Sequence, residues 1–271
     1  MKRYLKGVGM TKFGEAHKTT EEMCIEALQH VFVDSDLTPN DIDAVVVSNV
    51  STKMNSEKQR LYPPIIASLL QRKIPMIRVP AVCGGGGAAL WTAFRLHFNN
   101  VLVIAVDRVL DSPTPLITHE IMTAGENKWE QEEGLIFPAQ NALVAQAHMA
   151  AYGTTVEDLH MVSFKNHSFG SSNPKARFFG KKVTMDQIRN APLVATPFNL
   201  FDCSISVNGA AAAVVSNDKT DIEIIGSALA SDYLPPFERE DMATGEGTVK
   251  AGREAFAGAG ITPEDVDVAE R

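Results

Sequence analysis

Cys83 closes the run Ile77-Arg78-Val79-Pro80-Ala81-Val82 and is followed at once by Gly84-Gly85-Gly86-Gly87-Ala88-Ala89-Leu90-Trp91. The pattern reads as strand, turn and helix, with the thiol at the helix start. There it faces unpaired N–H groups and the positive end of the helix dipole, and both favour the thiolate. Glycines carry no Cβ, so another backbone or a ligand can come close. A thiol so placed is suited to taking an acyl group from a bulky carrier. A packing role also fits, because free cysteines are among the most buried residues.

A second concentration of chemistry lies further on. Lys165, Lys175, Arg177, Lys181, Lys182 and Arg189 occupy a stretch whose only acid is Asp186, in a chain of net charge -8 and pI about 5.4. A basic island suits phosphate groups. It equally describes a solvated face or a partner surface. His167 reads as a lone loop histidine, structural or substrate-lining. Cys24 and Cys203 read as buried filler.

The elements that must position these residues alternate over the first 107 positions. Leu5 to Phe13 predicts a strand, and Thr19 with Glu22 a capping box. The helix after it carries Cys24, Ile25, Leu28, Val31 and Phe32 on one face. Ala44 to Val47 predicts the second strand and Tyr62 to Gln71 a helix. Ile77 to Val82 is the third strand, Cys83 to Phe98 its helix, and Val101 to Val106 the fourth strand. The rhythm implies a mostly parallel sheet with helices on its faces.

Residues 108 to 200 interrupt it. Glu126 to Glu133 is acidic and expected at the surface. Pro138 to Gly153 predicts a helix, and Thr155 with Asp158 and Thr184 with Gln187 mark two more helix starts. Ala210 to Val215 resumes the sheet. Leu37-Thr38-Pro39-Asn40-Asp41-Ile42-Asp43 then recurs as Ile261-Thr262-Pro263-Glu264-Asp265-Val266-Asp267. Each copy follows a helical stretch and a strand, the second strand spanning Ile222 to Ala230. The chain thus holds one α/β unit and the opening of another. A half-built sheet leaves an edge uncovered, so a longer protein or a completing partner is expected.

Composition narrows the class. With 271 residues and 45% hydrophobic content, the chain can bury one large core or two smaller ones. The acidic balance suggests no nucleic-acid role. Three scattered cysteines fit a reducing cytoplasm. No run approaches the ~18 apolar residues of a membrane span.

Four stretches resemble the thiolase superfamily, nearest to its archaeal and sterol-carrier-protein types. They are Val79 to Leu90, Gly134-Leu135-Ile136-Phe137-Pro138, Lys165-Asn166-His167 through Asn173-Pro174, and Asp202-Cys203-Ser204 through Asn208-Gly209-Ala210. The resemblance covers essentially the whole chain. It implies an α/β thiolase fold, layered αβαβα from two duplicated βαβαβαββ halves, the second incomplete. Residues 1–217 would form the N-terminal half, with a loop domain at about 108–200, and 221–271 the start of the C-terminal half. It also departs from the family: a plain glycine run at 84–87, and Asn208 where an aspartate is usual.

The activity implied is acyl transfer that forms or cleaves short 3-ketoacyl-CoA, such as acetoacetyl-CoA, with Cys83 as the acyl carrier. The Cys83 backbone N–H would join an oxyanion hole. Ser204 would contact the pantetheine arm, or simply cap a turn. His167, Lys165 and Arg177 would line the substrate site. The remaining catalytic groups belong to the family's second half, so little turnover is expected of this chain alone. No cofactor is implied beyond the CoA thioester. Implied partners are a second copy, as dimer or tetramer, and a complex with a hydroxymethylglutaryl-CoA synthase and a small acyl-CoA-binding protein.

Two other readings stay open. Gly84, Gly86 and Ala89 satisfy a G-x-G-x-x-A fingerprint, and Asp107 lies about 20 residues on, so an NAD-dependent oxidoreductase is possible. A non-catalytic acyl-CoA-binding subunit is the third.

Overall fold

A computed structural model of the chain describes residues 2–14, 17–50 and 59–270. Its elements are β1 Arg3–Met10, α1 Thr20–Ser35, β2 Ala44–Ser48, α2 Tyr62–Leu70, β3 Met76–Arg78, α3 Gly85–Arg95 and β4 Asn100–Asp107. Then come α4 Thr114–Met122, α5 Phe137–Tyr152, α6 Val156–Ser172, α7 Met185–Arg189, the hairpin β5 Leu193–Ala195 and β6 Phe198–Asn199, β7 Gly209–Ser216, β8 Glu223–Ile224 and α8 Glu246–Ala259.

The main sheet runs β3-β2-β4-β7-β1-β8. β2 pairs in parallel with β3 and β4, while β7 is antiparallel to both β4 and β1, and β8 is antiparallel to β1. Strands β1 to β4 therefore point one way, but the sheet is mixed rather than mostly parallel. The reversal occurs because β7 returns from the long excursion and inserts between β4 and β1.

Side-chain alternation on the strands builds two cores. Val45, Val47, Leu102, Ile104 and Val214 face α1 and α2, against Met23, Cys24, Ala27, Leu28, Val31, Tyr62 and Ile66. Ala44, Val46, Val101, Val103 and Val215 face the other way, against Ala89 and Ala93 of α3. Arg3 is buried and donates to the carbonyls of Leu96 and Phe98, tying β1 to the end of α3. Ile25 does not join the α1 core and is exposed, because Met23 and Ala27 take the buried stripe.

In the excursion the three helix starts lie where the sequence places them. Thr155 and Thr184 form capping boxes with Asp158 and Gln187, and Gly153 ends α5 at φ 72. The acidic segment 126–133 is largely exposed, as its charge suggests, with Glu130 the exception. Asn127–Gln131 forms a π-helical turn, and buried Glu130 accepts from the Glu126 N–H at 2.5 Å.

The sequence repeat has matching geometry. Thr38 and Thr262 adopt φ/ψ of -118/166 and -117/166, and each backbone N–H donates to the aspartate three residues on at 2.8 Å. The strand-on-helix packing repeats as well. A Cβ on Gly7 would stand 2.6 Å from Ser35 Cβ, and one on Gly226 would stand 3.1 Å from Ala259 Cβ. Ser35 and Ala259 each lie three residues before the repeat threonine. The Ile222 to Ala230 strand shrinks to Glu223–Ile224, and α8 buries only Gly247. Among the described residues no helix is long and apolar enough to cross a membrane.

Candidate active site

β3 is shorter than the apolar run suggests, ending at Arg78, and α3 begins later, at Gly85. Pro80 cannot donate a ladder hydrogen bond, which limits the strand. Between the two, Val82–Gly84 forms a single 3-10 turn with Cys83 at its centre. Cys83 is exposed, unlike buried Cys24 and half-buried Cys203. Val82, just before it, sits at φ 44. That left-handed conformation is unusual for a β-branched residue and costs energy unless its surroundings impose it.

The surroundings are specific. Val79 N–H donates to Val47 O at 2.8 Å, and Ser48 Oγ donates to Val79 O at 3.1 Å. The Gly85 N–H closes the turn onto Val82 O. Of the glycine run, only Gly85 meets a neighbour: a Cβ there would stand 2.5 Å from Ser48 Oγ, whereas Gly84, Gly86 and Gly87 face open space. One glycine is required for packing, and three leave the helix start uncovered beside the thiol.

The same end of the sheet carries Asp107, where β4 finishes. Its carboxylate accepts from Val50 N–H at 2.9 and 3.2 Å, holding the exit of β2. This engagement and the antiparallel β7 beside β4 weigh against the dinucleotide reading of Gly84, Gly86 and Asp107, in which the sheet continues in parallel and the acid is turned to a ribose. A cavity of about 240 Å³ opens here between Phe13, Val106, Asp107, Val207, Gly209 and Ala211.

The excursion residues lie on α6, on the turn after it and on the segment before β7. His167 is helical, on α6, not in a loop, because α6 runs on to Ser172. Its ring packs edge-on against Phe178 and Phe201 at 4.8 and 5.2 Å between centroids, and its Nδ1 is buried without a partner. Lys165 is exposed on the same helix. Arg177 lies on the turn after α6, its Cδ 3.2 Å from where a Cβ on Gly14 would stand. Ser204 is exposed. The segment before it is anchored by Asp202, which accepts from Ser163 Oγ at 2.5 Å and Asn199 N–H at 2.8 Å. Cys203 is only half-buried, and burial, with the neighbouring Asp202 charge, pushes its thiol up. Among the described residues no side chain hydrogen-bonds to Cys83, and no group of three His, Cys, Asp or Glu could hold a metal ion.

Two contributors escape the sequence reading. Ser48 ends an unbroken apolar strand, and its hydroxyl is the only local signal. Asn208 is visible as a departure from a pattern, but not for what it does. Buried beneath the excursion, its Oδ1 accepts from the N–H groups of Val109 and Leu110 at 2.8 and 2.9 Å.

No family model matches the chain. Individual relatives do. It is 36% identical over 278 aligned positions to an acetyl-CoA acetyltransferase of Methanothermobacter thermautotrophicus, covering 97% of this chain and 71% of that protein. It is 33% identical to the acetyl-CoA acetyltransferase of Methanocaldococcus jannaschii, covering 97% and 70%. A monomeric SCP2-thiolase-like protein from Mycobacterium smegmatis superposes with a TM-score of 0.72 at 19% identity, over 99% of this chain and 59% of that one. The structural likeness gives the fold, and the archaeal identity, maintained over nearly the full chain, gives the family: this protein belongs to the thiolase superfamily.

Proposed function

We propose that this chain takes an acyl group from a CoA thioester onto Cys83. The observation that carries the reading is the exposed thiol at the centre of the 3-10 turn entering α3, held by a left-handed Val82. In the step, the Cys83 sulfur attacks the thioester carbonyl. The carbon–sulfur bond to CoA breaks, and CoA leaves as the thiol after gaining a proton. N–H groups of the helix start stabilise the tetrahedral oxyanion, the kind of preorganised donor worth ~10²–10³-fold.

The substrate proposed is a short acyl-CoA, in keeping with relatives named acetyl-CoA acetyltransferase. Ser204 would meet the pantetheine arm, and Lys165 and Arg177, with the surrounding basic island, the phosphates. His167, packed between two phenylalanines, is assigned a wall of that site. Claisen chemistry beyond the acyl-cysteine also needs a base at the α-carbon. The resulting domain division is 1–217 and 221–271. Pairing of two copies would use the edge strand β3, the turn after it and α3, where Ile77, Val82 and Leu90 are 49%, 46% and 42% exposed.

Limited iodoacetamide labelling with peptide mass spectrometry tests the assignment. Cys83 is modified before Cys203 and Cys24, and prior acetyl-CoA slows only Cys83. Equal labelling of the three thiols, or CoA binding with no protection of Cys83, favours the acyl-CoA-binding subunit instead.

A further inference from the structure

We infer that Ser48 is a positioning residue for Cys83. Its hydroxyl is a strut that holds the turn carrying the thiol. The inference rests on Cys83 being the nucleophile, but its geometry stands separately.

Ser48 is the last residue of β2 and is buried. On one side its Oγ donates to Val79 O, just after β3 ends. On the other side the same atom lies against the bare Cα of Gly85, the first residue of α3. One oxygen thus touches both ends of the seven residues from Val79 to Gly85 that carry Cys83. Those seven residues include Pro80, which has no N–H, and Val82 in the left-handed region. A strained residue persists only where its surroundings over-determine it. The Ser48 contacts fix where this segment starts and where it finishes. Val82 takes its left-handed conformation between these two held ends.

The glycine run shows the same fit from the other side. A Cβ fits at 84, 86 or 87 without meeting any neighbour, but not at 85. The constraint at 85 comes from Ser48 Oγ alone within contact range, since Ser48 Cβ would stand at an ordinary 3.9 Å. Ser48 and Gly85 are therefore a matched pair, one supplying the oxygen and the other the space for it.

The matched pair gives a coupling test. In the wild-type background Gly85→Ala places a methyl against the hydroxyl, and the Cys83 alkylation rate falls roughly tenfold as the turn shifts. In the Ser48→Ala background the same change meets no oxygen, and its further effect stays within about twofold. Ser48→Ala alone lowers the rate about fivefold, the size of one net hydrogen bond. It leaves the Cys203 rate unchanged. Amide hydrogen exchange of the 82–86 segment is measured on all four proteins and rises in Ser48→Ala and in Gly85→Ala.

An equal effect of Gly85→Ala in both backgrounds overturns the strut. So does unchanged exchange at 82–86 in Ser48→Ala, or parallel changes at Cys83 and Cys203. If wild-type Cys83 reacts no faster than Cys203, the nucleophile reading fails, and with it the role assigned to Ser48. Coupling in hydrogen exchange would then show that the contact exists without serving a reactive thiol.

Discussion

Asn208 donates through Nδ2 to Asp111 Oδ2 at 3.2 Å while its Oδ1 accepts from two backbone N–H groups. Asp111 also accepts from Arg108 at 2.7 Å. The amide is the only group of this shape that can satisfy both sides, because one end must accept and the other donate. The pair pins the start of the excursion, just after β4, to the start of β7.

Asn208→Asp should therefore destabilise the fold. It replaces a donor by a carboxylate oxygen facing Asp111, a buried mismatch worth about 1–3 kcal/mol. Two carboxylates at that distance raise one folded pKa above its unfolded value. The penalty is then largest near neutral pH and shrinks as pH falls through that raised value. Urea unfolding of both proteins at neutral and mildly acidic pH reads both effects.

Gly9→Ala and Gly226→Ala test whether the two copies of the repeat pack alike. A Cβ on Gly9 would stand 2.4 Å from both Ala27 O and Val31 N, and one on Gly226 would stand 2.5 Å from Ala255 O. Backbone cannot step aside cheaply, so each should cost about 1–3 kcal/mol of the packing it disturbs. The Gly9 variant lowers the midpoint of the whole thermal transition. The Gly226 variant chiefly raises hydrogen exchange in α8, which buries little else.

Asp232 caps α8 from a distance. Its carboxylate accepts from Gly247 N–H at 3.2 Å and Tyr233 N–H at 2.8 Å, and these hold its pKa below the usual carboxylate range. A depressed folded pKa gives stability that is present above the unfolded value, about 4, and lost as pH falls through the folded one. The α8 amide resonances should lose helical dispersion over that acidic interval. Asp232→Asn, which keeps one acceptor and no titration, should flatten the dependence.

CoA binding should depend on salt and on the basic island. Lys165→Ala and Arg177→Ala should each weaken CoA about 5- to 10-fold, with a shallower salt dependence, if they meet phosphates. Calorimetry with CoA and with NAD checks this, and NAD should give no heat.

Much of this was legible in the residues because it is local. Capping boxes at Thr19, Thr155 and Thr184 involve side chains three positions apart, and so do the repeat turns at Thr38 and Thr262. What was not legible depends on distant segments meeting. The placement of β7 between β4 and β1 reverses the sheet and is set by where a long excursion returns. Glu130 is buried because a π-helical turn folds it toward the Glu126 N–H, which its charge does not announce. His167 reads as a loop residue from its polar neighbours, yet the Thr155 cap starts a helix long enough to include it. Ser48, the strut proposed beneath the thiol, acts on residues 31 and 37 positions away, beyond the reach of any motif.

The central claim is that Cys83 is the acyl acceptor, and the most direct measurement is mass spectrometry of the purified chain after brief exposure to acetyl-CoA. The expected result is a mass increase of one acetyl group, mapped to the peptide containing Cys83, removed by hydroxylamine and absent from Cys83→Ala. Acetylation mapped to Cys203, or an acetyl adduct that persists unchanged in Cys83→Ala, would contradict it.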